Sequence, residues 1–157
     1  GGNQKLGLSY DNMLSPEEAK KKGAEIRKAY MEAIPGLKDL VEATKKVAEK
    51  GTIRSIDGRD IHVDSGHKAL NFLLQSSAGV IAKRWCIITD ETLRKCKFEH
   101  ERYAFVHDEQ VLGAPQSSAK FVAFACKMSA AMAGEYYKLR IPISADANIG
   151  DNWAEVH

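Results

Sequence analysis

Cysteine is scarce in this sequence, and what there is does not pair. Cys86, Cys96 and Cys126 are odd in number and widely spaced, without the paired motif of a disulfide framework or a zinc site. Reduced thiols in a cytosol-like compartment, each filling core, are the expectation. Long apolar runs are missing as well. No stretch approaches the about 20 apolar residues that span a bilayer, and the N-terminus lacks the basic start and apolar centre of a signal peptide. The chain is therefore expected to be soluble and cytoplasmic, with no membrane partner. Charge of one sign is lacking too: a net charge of +2 establishes no nucleic-acid partner unless particular residues are placed for one. There is no Gly-x-Ser-x-Gly turn for a hydrolase nucleophile, no internal repeat and no low-complexity tract. What remains is one α+β unit of 157 residues, long enough to bury roughly 70% of its unfolded surface.

The spacing predicts long helices packed on a small antiparallel sheet. Residues 1–8, with three glycines and no apolar face, read as a loop. Ser15-Pro16-Glu17-Glu18 is a helix start: an N-cap, a proline at the first helical position and acids facing the positive dipole end. That helix runs to about Ala33 and is broken by Ile34-Pro35-Gly36; a second follows from Leu37 to about Glu49, with Leu37, Leu40, Val41, Thr44, Val47 and Ala48 on one stripe. Asp57-Gly58 joins two short strands, 52–56 and 59–63. From His67 an apolar repeat extends past Ile88, which predicts the longest and most buried helix. A final helix after Pro115 is expected to bury Phe121, Val122, Ala125, Met128, Ala131, Met132 and Tyr136, and residues 139–144 to form an edge strand.

Two stretches carry candidate chemistry. In Tyr103–Gly113, apolar runs flank the triplet His107-Asp108-Glu109, which reads as a hairpin with acids at its tip. Neighbours on a strand face opposite ways, but at a tight turn both carboxylates can flank one site, and hard divalent cations bind carboxylate oxygens held like that. Metal-assisted phosphoryl transfer needs further carboxylates. Asp57, Asp60 and Asp64 belong to turn and cap chemistry, so the sequence offers half a metal site, and both nucleotidyl transfer and nuclease cleavage stay open. In the second stretch, His67, Asn71 and Gln75 recur every four residues and form a polar stripe. Solvated faces normally carry Lys and Glu, whereas short amide donors suit the acceptors that every base pair presents in the minor groove. DNA binding without chemistry is the alternative that stripe allows.

Taken together and in order, Asp57-Gly58-Arg59, then His67-x-x-x-Asn71-x-x-x-Gln75-Ser-Ser-Ala78, then Val106-His107-Asp108-Glu109, then Gly150-x-Asn152-Trp153-x-x-x-His157 resemble the C-terminal part of family A (Pol I type) DNA polymerases. The podophage replicative branch is the most similar, through Leu70-Asn-x-Leu-Leu-Gln75-Ser and the terminal His157. The resemblance implies that Asp108 and Glu109 bind catalytic Mg2+, with His107 beside the primer terminus. It implies that His67, Asn71, Gln75, His157 and, more distantly, Arg54 and Arg59 meet primer–template DNA, with a dNTP as the other substrate. It assigns residues 1–51 to the base of the fingers and 52–157 to the palm, and bacterial or phage-infected cytoplasm as the compartment. The family's other metal aspartate, in an Asp-x-Ser-x-x-Glu segment, and its Arg-x-x-x-Lys fingers helix ending in Tyr-Gly match nothing here. The expectation is therefore a fragment or split half that begins where the fingers helix ends, inactive until an N-terminal half supplies both.

Overall fold

The computed structural model describes residues 2–156, so His157 lies outside the described residues. In chain order the elements are α1 (Gly2–Tyr10), α2 (Pro16–Ala33), α3 (Leu37–Ala48), β1 (Thr52–Arg54), β2 (Asp60–His62), α4 (Ala69–Lys95), β3 (Glu101–Val106), β4 (Glu109–Gly113), a single 3-10 turn at Gln116–Ser118, α5 (Ala119–Tyr136) and a short α6 (Trp153–Val156). The α+β class holds, with two separate two-stranded sheets, β1–β2 and β3–β4. The chain forms two compact units: one runs from the N-terminus to Ile53 and adds His62–Leu70, and the other takes Arg54–Ile61 and everything from Asn71 onward.

In the first unit the expected loop at 1–8 is instead the helix α1. Nine glycine-containing residues do not hold a helix in isolation, because propensity is poor and nucleation is costly. Packing forms it. A Cβ at Gly7 would overlap the backbone carbonyl of Ala19 on α2, and one at Gly23 would overlap that of Asn3 on α1. Gly7, which reads as a loop residue, and Gly23, on the inner face of α2, are what allow the two backbones to touch. Helix α2 starts with a capping box: the Glu18 amide donates to Ser15 Oγ and the Ser15 amide donates to the Glu18 carboxylate at 3.0 Å. Of the stripe expected on α3, Thr44 and Ala48 are buried, while Leu40 and Val47 are about half exposed.

In the second unit, α4 is the longest helix at 27 residues, as its periodicity implies. The most buried helix among the described residues is α5, which contrasts with the expectation. Its inward face is Val122, Ala125, Cys126, Ser129, Ala130 and Ala133, whereas Met128, Met132 and Tyr136 are exposed. The inward face is the one lined with small side chains, and the bulky residues turn out. Leu93, Val122, Ala125 and Cys126 form the core, with Phe98 stacked on Phe121 at 4.1 Å and Leu112 and Ala114 packed against it. Of the thiols, Cys126 is buried and pushed up to about 11 by burial, Cys86 is half-buried and also raised by burial, and Cys96 is exposed rather than core. Residues 139–144 form no strand. Lys138 takes a positive φ of 54°, the Leu139 amide donates to Gly134 O at 3.1 Å, and Ile143 folds back over Gly134. Pro142, without an N–H, suits a segment that pairs with no sheet.

Gly7→Ala or Gly23→Ala should destabilise the first unit by about 3 kcal/mol, because backbone atoms cannot move aside as a flexible side chain can. Urea unfolding followed by circular dichroism measures the loss, and the helical signal should fall by an amount in keeping with α1 detaching.

Candidate active site

The β3–β4 hairpin is antiparallel, with Val106 opposite Glu109 and Phe105 opposite Gln110, so His107 and Asp108 alone make the turn. His107 adopts a positive φ of 53°, a backbone state that costs a non-glycine residue about 1 kcal/mol and concentrates at functional sites. His107, Asp108 and Glu109 are all exposed and adjacent at the tip. Oxygen donors of this kind fit a hard cation such as Mg2+ in chemistry but fall short in number. Among the described residues no third His, Cys, Asp or Glu joins them in a group that could hold a metal.

One face of the hairpin is gripped by α4 along its length, from Arg102 near the open end to the Phe105–Gln110 pair just below the tip. Phe105 meets Trp85 edge-on with ring centroids 6.4 Å apart, and Trp85 Nε1 donates to Cys126 O on α5 at 2.7 Å. Arg102 donates through Nη1 to Gln110 Oε1 and through Nη2 to Cys86 O at 2.9 Å. Gln110 Nε2 donates to Thr89 Oγ1 at 3.1 Å, and Thr89 in turn donates to Trp85 O at 2.9 Å. Just before β3, the buried His100 ring sets Nε2 2.9 Å from Asp90 Oδ1 and Nδ1 3.0 Å from Phe98 O. Both partners can accept a hydrogen bond from the ring. The hydrogen bond from His100 is the main cause holding the Asp90 carboxyl below its usual range; burial opposes it, and Arg94 at 3.1 Å assists. None of these residues stands out in the sequence. Gln110 extends the polar triplet by one residue, and nothing local announces its partners.

The other expected site residues lie as follows. Asn71 and Gln75 are exposed and one turn apart on the first turns of α4, so they share a face. His67 departs from the stripe: the helix starts at Ala69, and the His67 ring lies in the preceding turn, 2.6 Å from Ser65 Oγ. Arg59 donates to Asp57 at 2.6 Å within the β1–β2 turn, where Gly58 has a φ of 87°, and Arg54 lies 3.8 Å from Asp60. Ser55, beside that turn, is 2.9 Å from Ser76 of α4, Oγ to Oγ.

The fold is shared with a solved structure. The polymerase domain of Pol1 from M. smegmatis, in complex with DNA primer-template and dNTP, matches with a TM-score of 0.72 at 23% identity, over 87% of this chain and 25% of that one. The likeness shows the fold: part of a polymerase domain. Residues 2–155 match the family model for DNA polymerase family A, and the chain belongs to that family. Relatives include the DNA-directed DNA polymerases of Enterobacteria phage T3 (32% identical) and Escherichia phage T7 (31%), each over 88% of this chain and 23% of theirs. DNA polymerase I of Bacillus caldotenax is 26% identical over 94% of this chain and 17% of its own length. The chain thus spans about a quarter of the phage relatives it matches. No described helix is long and apolar enough to cross a membrane.

The lowered Asp90 pKa fixes a pH dependence. A carboxyl depressed on folding adds stability that is present above its unfolded pKa of about 3.9 and is lost as pH falls through the lower folded value. Stability should therefore decline below about pH 4, and His100→Ala should flatten that decline. Urea midpoints measured between pH 5 and pH 2 for both proteins check the slope.

Proposed function

We propose that this chain supplies the acidic turn and the duplex-facing helix of a family A DNA polymerase and works only with an upstream portion. The observation that carries the reading is the His107-Asp108-Glu109 turn exposed at the tip of a hairpin, in a chain that belongs to this family. In this reading Asp108 and Glu109 hold Mg2+ together with an aspartate from the upstream portion. The ions, when bound, neutralise charge developing on the transferred phosphoryl group. His107, held by the turn, lies beside the primer terminus. Asn71 and Gln75 offer amide donors to minor-groove acceptors of the primer–template duplex, which tests base-pair shape without reading sequence. His67, Arg54, Arg59 and His157 add contacts to the duplex. The deoxynucleoside triphosphate meets the fingers helix, which the upstream portion carries.

Residues 1–51 then belong to the base of the fingers and 52–157 to the palm, working in the cytoplasm of a bacterium or of a phage-infected cell. The M. smegmatis structure, described as a complex with primer-template and dNTP, supports these partners. A second reading, duplex binding without chemistry, draws on the two-carboxylate donor set among the described residues.

Primer extension in Mg2+ separates the two. The chain alone should be inactive, and a mixture with a polypeptide carrying the second aspartate and the fingers helix should extend a primer. Asp108→Asn should lower that activity about a thousandfold, the scale seen when one preorganised electrostatic group is lost. Extension insensitive to Asp108→Asn removes the catalytic reading; no extension, together with salt-dependent duplex binding that survives the substitution, favours the second.

A further inference from the structure

We infer that Arg102 and Gln110 are positioning residues that fix the register of the β3–β4 hairpin and lock its acidic turn to α4, the helix that also carries Asn71 and Gln75. The inference rests on the proposed polymerase function for its purpose, although the lock itself is a matter of structure.

A bulge puts Arg102 on the face that α4 grips. Between Arg102 and Ala104 the pairing shifts, so Tyr103 has no partner of its own: Arg102 faces Leu112 while Ala104 faces Val111. In a regular strand Arg102 and Phe105, three apart, would point to opposite faces. The extra residue reverses the alternation and returns Arg102 to the face on which Phe105 meets Trp85. Only there can its fork span Gln110 on β4 and the Cys86 carbonyl of α4 together.

Any other register is costly. A one-residue slip of β4 turns every one of its side chains over. Gln110 would leave Thr89 and Arg102, and Glu109 would be driven toward α4. The partly buried guanidinium and the buried Thr89 hydroxyl would lose partners at once, and a half-satisfied network is worse than none. The register in which His107 and Asp108 form the turn is therefore the one in which the network closes.

The network also reaches beyond the hairpin. From Thr89 the network passes to Trp85 and on to Cys126 of α5, so the hairpin is tied to two helices. Along α4, Gln75 lies fourteen residues from Thr89, about 21 Å at 1.5 Å per residue. A continuous helix holds that separation. The carboxylates that would meet metal and the amides that would meet duplex are thereby carried on one rigid body, and misplacement of a reacting group by about 1 Å can cost a hundredfold in rate.

The test uses Gln110→Leu, Arg102→Met, their double substitution, and Thr89→Val, a near-isosteric change that keeps the core filled. Amide hydrogen exchange on the 157-residue chain should show the β3 and β4 ladder exchanging about tenfold faster in the first three and about threefold faster in Thr89→Val, with the middle of α5 unchanged. In the two-part primer-extension mixture kcat should fall about tenfold at unchanged KM for primer-template and dNTP, because the binding groups remain while their alignment is lost. The double substitution should be no worse than either single one, as members of one network behave. Unchanged exchange, exchange accelerated equally in α5, or additive losses in kcat would overturn the inference. If the unsubstituted mixture extends no primer, the polymerase reading falls, and the exchange data alone decide the lock.

Discussion

The acidic turn takes its position from the grip of α4 on one face of the hairpin that carries it. Asp108 lies exposed, and a two-stranded ribbon in water is only marginally stable by itself. What holds the ribbon is a set of directional contacts clustered on about one and a half turns of one helix: Trp85 to Phe105, the Cys86 carbonyl to Arg102, Thr89 to Gln110 and Asp90 to His100. Below them Leu112 and Ala114 run into the core around Leu93 and Val122. Apolar burial supplies the bulk of the adhesion, and the polar contacts supply the angle and the register.

The parts of the fold that could be read directly are those specified by short-range chemistry. Ser15 and Glu18 cap α2, Pro35-Gly36 ends it, Asp57-Gly58 turns the first hairpin, and the apolar repeat after His67 announces α4. The parts that could not be read depend on what lies across space. Helix α1 exists because two glycine faces meet, a fact that neither face carries alone. On α5 the longer side chains suggest one buried stripe, while the structure buries the smaller residues beside it.

The site divides along the same line. The His-Asp-Glu triplet is local, and its hairpin lies where apolar alternation and family resemblance together put it. The Asn71 and Gln75 face is local too, by helical spacing. The bulge at Tyr103 is not, since strand alternation assigns Arg102 to the wrong face, and only the paired register shows the reversal. His67 illustrates the opposite error. A four-residue spacing continues a stripe on paper beyond the residue where the helix begins.

The three thiols sort themselves by accessibility in a way that makes the molecule convenient to watch. Cys126 is shut in the core with its thiol pushed up to about 11, and Cys86 is half-buried under the hairpin. Cys96 is exposed, directly after the last residue of α4 and one residue before Lys97, whose positive φ starts the chain toward β3. A dye or spin label offered to the folded protein is thus directed to a single joint. That joint lies between the long helix and the hairpin, where a reporter senses whether the two stay locked together.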